Sequence, residues 1–286
     1  MLKIIEKAKL WFAISLIIII IGAGFAAVKG FNIGIDFKGG NIVVVDMGGK
    51  FDKTKADNIV KKYDKTANTN TSDETEYEIK SGSMTTDQIS SMFSDLKKEF
   101  NLKDAALISQ DYIGGSIGKE TAQKAIWSII IATICMLIYV GIRFEFKFGI
   151  AAIIALVHDV LITLAVYAVL QIPLNASFVA AMLTIIGYSI NDTIVVFDRI
   201  RENVKKTRKP DFTQVADISI TQTMTRSLYT VLTTLFTIVA VNIFVPTVRE
   251  FSIPLIIGII SGCYSSIFIA SPLWVIFKSK KKAAVK

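Results

Sequence analysis

The sequence is poor in the residues that hold metals or form disulfides. Its 286 residues include two cysteines, Cys135 and Cys263, and a single histidine, His158, and all three lie within apolar runs. Cysteines in such surroundings are expected to be small core residues, and one histidine cannot build a metal cluster without ligand partners. The sequence therefore predicts no disulfide, no metal site and no cofactor.

Charge is also scarce. Charged residues make up 20% of the chain, hydrophobic residues make up 52%, and the mean hydropathy is +0.53. Several mostly apolar runs are long enough to cross about 30 Å of hydrocarbon. The first run resembles a cleaved signal peptide, but its length favours an uncleaved span. The sequence predicts a polytopic α-helical membrane protein with six transmembrane helices, at residues 10–28, 123–142, 149–170, 177–197, 226–245 and 252–277.

The net charge of +8 is concentrated in short loops and at the termini. No stripe of arginines with interleaved aromatic residues offers a nucleic-acid surface, so no nucleic-acid partner is expected. Lysines and arginines cluster on the side of the membrane that carries both termini, and the two opposite short loops contain only Arg249. The positive-inside rule then predicts cytoplasmic termini and an extracytoplasmic position for the segment between the first two spans.

That segment, residues 31–122, is polar and has no long apolar run. Its patterns predict the order strand, helix, strand, helix, strand, which favours a small α+β domain of the ferredoxin-like kind. The expected organisation is a cytoplasmic N-terminus with the first span, this domain with its linker, a bundle of five spans and a basic cytoplasmic tail, at residues 1–30, 31–122, 123–277 and 278–286.

Three charged residues fall inside predicted spans: Asp192, Arg226 and Asp159, the last beside His158. A charge at mid-membrane costs about 2.5–3.5 kcal/mol on insertion scales. Counting along the helices allows Asp192 and Arg226 to face each other at similar depth. Two interpretations remain open: a static pair that joins two helices, or a carboxyl group that binds and releases an ion. The polar neighbours of Asp192, including Asn191, either relay hydrogen bonds or serve helix packing.

Two further patterns are structural. In the last span, small residues recur at every fourth position, which predicts close helix packing along one face; they are Gly258, Gly262, Ser266 and Ala270. The stretch at 114–120 is similar to a phosphate-binding loop, but the first glycine of that pattern is absent and Glu120 replaces the Ser/Thr. Nucleotide binding is therefore not expected.

Several motifs together resemble SecF, a branch of the SecD/SecF family of bacterial protein-export membrane proteins, over essentially the whole chain. They are "GIDFKGG", "RFEFKFG", "HDVLIT", "TIIGYSINDTIVVFDRIREN" and "TQTMTRSLYT". The resemblance implies half of a resistance-nodulation-division (RND) type transporter, with six helices and an outer ferredoxin-like domain between the first two. It also implies residence in the bacterial cytoplasmic membrane.

The resemblance implies several partners: a separate SecD chain, the SecYEG channel, YajC and YidC, membrane lipid, and unfolded preprotein on the outer side. It implies that the proton or sodium motive force drives late translocation after SecA has acted. Asp192 and Arg226 would lie on the ion path, and the roles of Asn191, His158 and Asp159 are less defined. The alternatives are a small-molecule exporter of the same architecture, which the single small outer domain disfavours, and a non-catalytic translocon scaffold.

Overall fold

The computed structural model describes residues 2–72, 75–208 and 210–283. Within this part of the chain, six helical stretches are long and apolar enough to cross a membrane. They comprise α1 (Ala8–Lys29), preceded by a 3₁₀ turn (Ile5–Lys7); α5 (Gly115–Arg143); α6 (Phe146–Leu170); α7 (Ala176–Lys206); α8 (Phe212–Phe244); and a last stretch of a 3₁₀ turn (Pro246–Val248), α9 (Arg249–Ser265), a π-helical segment (Ser266–Ala270) and α10 (Ser271–Ala283). The predicted basic tail, 278–286, lies partly outside the described residues.

Two helices extend well beyond the spans expected from their apolar runs. The predicted spans 177–197 and 226–245 become α7 and α8, of 31 and 33 residues. At 1.5 Å per residue each is more than about 45 Å long, so both protrude from the hydrocarbon layer. The added part of α8 is polar and is anchored by Asp217, whose Oδ1 accepts hydrogen bonds from the backbone N–H groups of Ile4 and Ile5 at 2.9 and 3.1 Å.

The segment between α1 and α5 forms a compact α+β domain. After a short helix, α2 (Ile35–Lys38), its elements are β1 (Gly40–Asp46), α3 (Lys53–Tyr63), β2 (Asn68–Ser72), β3 (Glu76–Ser81), α4 (Thr86–Phe100) and β4 (Leu107–Ile113). The strands form an antiparallel sheet in the order β2-β3-β1-β4. This β-α-β-β-α-β order is that of the ferredoxin-like motif.

The prediction of three strands missed β2, because its sequence "NTNTS" has no apolar alternation. All five of its residues are partly buried, and it is held by backbone pairing with β3 and by its polar side chains. Thr69 donates to Asp57 Oδ1 on α3 at 2.7 Å, and Tyr77 of β3 donates to the same oxygen at 2.6 Å. Burial opposes the charge of Asp57, but these donors and Lys53 outweigh burial and lower the pKa of its carboxyl group.

The α+β domain rests on the loops at one end of the helix bundle. Glu250, at the start of α9, accepts hydrogen bonds from Asn68 at 3.0 Å, from Lys80 at 3.2 Å and from Asn175 at 2.6 Å. A second contact pairs backbone groups, since Gly34 N–H donates to the carbonyl of Leu174 at 2.7 Å. The segment before α1 and the α+β domain therefore lie at opposite ends of the bundle, because Ile4 and Ile5 contact Asp217 in the first part of α8.

Helix α1 packs closely against α6 through a glycine. An ideal Cβ at Gly22 would lie 2.2 Å from the Cβ and 2.4 Å from the Cα of Ala165, whereas a Cβ at Gly24 would meet nothing within 4 Å. We expect Gly22→Ala to lower the free energy of unfolding of the full chain in detergent by about 1–3 kcal/mol through overpacking. Gly24→Ala, the matched control, is expected to be neutral or slightly stabilising, and equal thermal unfolding of the two variants would contradict this packing.

Candidate functional site

A polar groove lies between α7 and α8. It is a cavity of about 250 Å³ and contains both Asp192 and Arg226; its lining residues are Tyr188, Asn191, Asp192, Val195, Arg226, Thr230, Thr233 and Thr234. Asp192 itself is buried, whereas Asn191 and Arg226 are exposed on the surface of the isolated chain. The two charges that were predicted to share an ion path therefore border one cavity.

Their depth in the bundle is also matched. Asp192 lies fourteen residues before the last residue of α7, Lys206, and Arg226 lies fourteen residues after the first residue of α8, Phe212. Both are about 21 Å from the shared end of these neighbouring helices. The sequence suggests shorter distances, roughly 7 Å for Asp192 from a helix end at Phe197 and roughly 12 Å for Arg226 from a helix start near Ile218. Both are too short because the helices continue to Lys206 and from Phe212.

The direct contact of Asp192 is a hydroxyl and not the guanidinium. Ser227 donates to Asp192 Oδ1 at 2.6 Å. Among the described residues, the second oxygen, Oδ2, is buried without a hydrogen-bonding partner, and no ion pair joins Asp192 to Arg226. A buried carboxylate oxygen that lacks a donor costs free energy when it is charged. The static Asp–Arg clamp considered from the sequence is therefore not formed in this conformation.

His158 and Asp159 lie in a different place, among α1, α6, α7 and α9. Asp159 is 1% exposed, and three serine hydroxyls donate to it: Ser189 and Ser265 to Oδ2 at 2.6 and 2.8 Å, and Ser261 to Oδ1 at 2.7 Å. His158 Nδ1 contacts Oδ1 at 3.1 Å. In contrast to Asp192, this carboxyl group has all its hydrogen bonds made within the bundle.

The small-residue stripe faces α7. An ideal Cβ at Gly258 would lie 2.3 Å from Ile185 Cδ1, and one at Gly262 would lie 3.0 Å from Ser189 Cβ. Ser266 and Ala270 fall in the π-helical segment, so the four-residue spacing does not continue as a regular α-helical face. Pro272 explains the change, since it lacks the N–H that an α-helix would donate to the carbonyl four residues earlier.

Three of the serines that donate to the two buried acids were not predicted from the sequence: Ser261 and Ser265 at Asp159, and Ser227 at Asp192. Ser189 was predicted only as a polar neighbour of Asp192, and it donates to Asp159 instead. Ser261 and Ser265 are four apart on α9, which was a usable signal for one face, but their partner on α6 is set only by helix packing. Ser227 follows Arg226 directly. It was overlooked because the positively charged Arg226 was the expected partner of Asp192. The expectation of two core cysteines was wrong for Cys135, which is exposed on the surface of α5.

The class defined by these observations is a polytopic helical membrane protein with acidic side chains inside its bundle. Residues 92–280 match the family model described as "Protein export membrane protein SecD/SecF, C-terminal". The chain belongs to the SecD/SecF family, and the predicted helical membrane class is confirmed.

Similar curated proteins are named protein translocase subunit SecF. One from Sebaldella termitidis is 38% identical, in an alignment that covers 98% of this chain and 93% of that protein. One from Haemophilus influenzae is 36% identical, in an alignment that covers 94% of this chain and 83% of that protein. The crystal structure of SecDF from Thermus thermophilus, described as a translocon-associated membrane protein, has a TM-score of 0.80 and 32% identity. It matches 97% of this chain, which spans only 39% of the length of that SecDF chain.

Proposed function

We propose that this protein is a SecF-type subunit of a protein-export machine, which works with a separate SecD-type chain and uses an ion gradient to promote late translocation of preproteins. The observation that carries the proposal is the near end-to-end similarity to proteins named translocase subunit SecF. The second candidate, a small-molecule exporter, is disfavoured by the small size of the outer domain, which comprises four strands and two main helices between α1 and α5.

The proposed topology has six membrane-spanning helices, both termini in the cytoplasm and the α+β domain outside. Lysines and arginines support this orientation, because they are abundant in the adjoining ends of α5 and α6 and of α7 and α8, whereas the opposite links, 171–175 and 245–249, contain only Arg249. The proposed location is the bacterial cytoplasmic membrane, because the similar proteins are translocase subunits of bacteria.

A SecD-type partner would complete the groove between α7 and α8. The exposed face of α8 combines Arg226 with large apolar side chains, including Tyr229 at 65% and Phe236 at 70% exposure. Within the described chain the guanidinium has no hydrogen bond or ion pair, and an unpaired charge facing lipid is costly. A partner helix that carries a carboxyl group opposite Arg226 would remove this cost. This chain spans 39% of the SecDF chain, so the remainder of that longer chain is large enough to include a SecD-type half.

The coupling would use Asp192 as the group that binds and releases the ion. Among the described residues only Ser227 donates to it, so its charged form is poorly satisfied in the present conformation. When Asp192 ionises, its negative charge attracts Arg226 at the edge of the same cavity. This attraction brings α7 and α8 closer to each other. Arginine does not titrate in proteins, so it acts as a constant counter-charge. Each charge moved across about 100 mV supplies roughly 2.3 kcal/mol.

Export into inverted membrane vesicles tests the proposal. Vesicles that contain or lack this chain, each with its SecD-type partner, are compared after the ATP-driven step, with the gradient intact or collapsed by an ionophore. We expect the gradient to accelerate export only when the chain is present. Equal acceleration in its absence would contradict the proposal, and export that needs the chain but ignores the gradient would identify a scaffold.

A further inference from the structure

The bundle interior contains a second ionisable centre that the proposed coupling through Asp192 does not use. It consists of His158 and Asp159 on α6, both buried, with exposures of 7% and 1%. It faces α1, α7 and α9, while Asp192 faces the groove towards α8. Its hydrogen bonds form a chain that runs from Asp159 through His158 and Ser15 to Tyr264 of α9 and the backbone of α1.

The chain begins at a group that can only accept. Tyr264 OH donates to the backbone carbonyl of Trp11 at 2.8 Å, which uses the phenolic hydrogen. Ser15 Oγ lies 3.4 Å from Tyr264 OH, too far to fix the direction of its own hydrogen, and 2.9 Å from His158 Nε2. Ser15 can therefore donate to a bare Nε2 or accept from a protonated Nε2. Burial favours the protonated Nε2, because with one more hydrogen between the ring and Asp159 the pair then has no net charge.

The other ring nitrogen then determines how many protons the pair holds. His158 Nδ1 and Asp159 Oδ1 lie 3.1 Å apart and need one hydrogen between them. That hydrogen is on Nδ1, giving an imidazolium and a carboxylate, or on Oδ1, giving a neutral imidazole and a carboxylic acid. The proton count of the pair is the same in both forms. Its loss would leave two lone pairs facing each other in a medium of low dielectric constant.

We propose that His158 and Asp159 form a second proton-binding site in the membrane interior, which holds one proton across the Nδ1–Oδ1 contact and whose charge distribution is set by serines of α7 and α9. The proton is exchanged between nitrogen and oxygen without change in total charge. Binding is independent of the role in export, so the site can be tested on the chain itself.

Contacts with α7 and α9 determine whether the proton lies on Nδ1 or on Oδ1. Ser189 of α7 and Ser265 of α9 both donate to Asp159 Oδ2 and so stabilise negative charge on the carboxyl group. If α7 and α9 separate, these donors are lost, and the proton moves from Nδ1 to Oδ1. Asp192 lies on α7 less than one turn from Ser189, so a movement of α7 that accompanies ion binding at Asp192 also alters this pair.

Few other titratable groups face the pair. Helix α1 presents Ser15, and α7 presents Ser189, with Asp192 three residues further along. From α9 the Tyr264 ring stacks on His158 with centroids 5.8 Å apart. Glu145, which precedes α6 and pairs with Lys278 at 2.6 Å, is thirteen residues away, or about 20 Å along the helix. Among the described residues, the proton therefore has no nearer charged partner than Asp159 itself.

The single histidine of the sequence makes a direct test possible. The full chain, labelled with ¹⁵N-histidine and placed in lipid bilayers, is studied by solid-state NMR. We expect Nε2 to be protonated and Nδ1 to give a signal between those of protonated and bare nitrogen. A bare Nε2 would overturn the proposal.

Variants locate the proton. In the Ser189→Ala/Ser265→Ala double variant, the Nδ1 signal is expected to shift towards bare nitrogen, because the carboxylate has lost two donors. Ser15→Ala is expected to shift Nε2 alone. Thr163→Ala is the control, since Thr163 is equally buried on α6 but donates only to the backbone carbonyl of Asp159, at 2.8 Å. If the serine variants gave the wild-type signals, as the control is expected to, the proposal would be refuted.

Discussion

Asp192→Asn is expected to abolish the acceleration of export by the ion gradient while leaving the protein assembled. Asparagine has the size of aspartate and its carbonyl oxygen can accept the hydrogen bond from Ser227. Its amide group, however, neither loses nor gains a proton at the pH of the export assay. The transfer of one charge across about 100 mV supplies roughly 2.3 kcal/mol, which corresponds to a factor of up to about fifty. The variant should therefore lose up to about fifty-fold in the rate of gradient-driven export. Export in vesicles with and without an ionophore measures this effect.

Asp198→Asn is the matched control for that experiment. Asp198 is on the same helix, but it is partly exposed and pairs with Arg201 at 2.9 Å, eight residues before the last residue of α7. Surface pairs of this kind contribute about 0–1 kcal/mol, so gradient-driven export by this variant should stay within about twofold of wild type. Similar losses in both variants would point to a general effect of removing acidic residues from α7.

Glu250→Ala is expected to release the α+β domain from the helix bundle. The carboxylate accepts hydrogen bonds from two strands of the domain and from Asn175 before α7, so its removal leaves Lys80 and two side-chain amides without this acceptor. Hydrogen bonds to charged groups contribute about 1.5–3 kcal/mol each. A net loss of about 2 kcal/mol would raise the open population roughly thirtyfold. Hydrogen exchange of residues 171–176 and of β2 reports this opening.

The control for the domain contact is Glu78→Ala, which removes the other carboxylate near Lys80, at 3.4 Å, but lies within the domain itself. It should leave exchange at 171–176 unchanged. If both variants, or neither, increased exchange there, Glu250 would not be the residue that holds the domain in place.

The pH dependence of this contact follows from Lys80. Burial lowers the pKa of its ammonium group, but Glu250 and Glu78 outweigh burial and raise it above the ordinary value. A raised pKa in the folded state means that the stabilisation is fully present below the unfolded pKa, about 10.4, and is lost as the pH rises through the folded value. Between about pH 5 and 9 Lys80 should therefore not loosen the domain.

The sequence predicted the helices well where the membrane dictates their composition. Apolar runs indicated all six spans, and the cost of burying charge was enough to make Asp192 a candidate site residue. The helix ends were missed where polar residues continue a helix outside the hydrocarbon, as in the first half of α8. There the stabilising contact is tertiary, from Asp217 to the N-terminal backbone, and no local pattern records it.

The partners of the buried acids could not be read from the sequence either. Ser227 and Arg226 are adjacent, and only the rotation of α8 about its axis decides which of them reaches Asp192. The three serines around Asp159 come from α7 and α9, at separations of 30, 102 and 106 residues along the chain. Strand β2 was invisible for a related reason, because an edge strand with polar side chains on both faces resembles a loop.

In the proposed coupling, Asp192 changes its protonation state as the export machine works. Infrared difference spectroscopy of the chain with its SecD-type partner in bilayers, with the Asp192→Asn spectrum subtracted, isolates the C=O band of this carboxyl group. We expect the band of the protonated acid to appear and disappear with pH and with an imposed membrane potential. A carboxyl group that stays in one form under all these conditions would contradict the account.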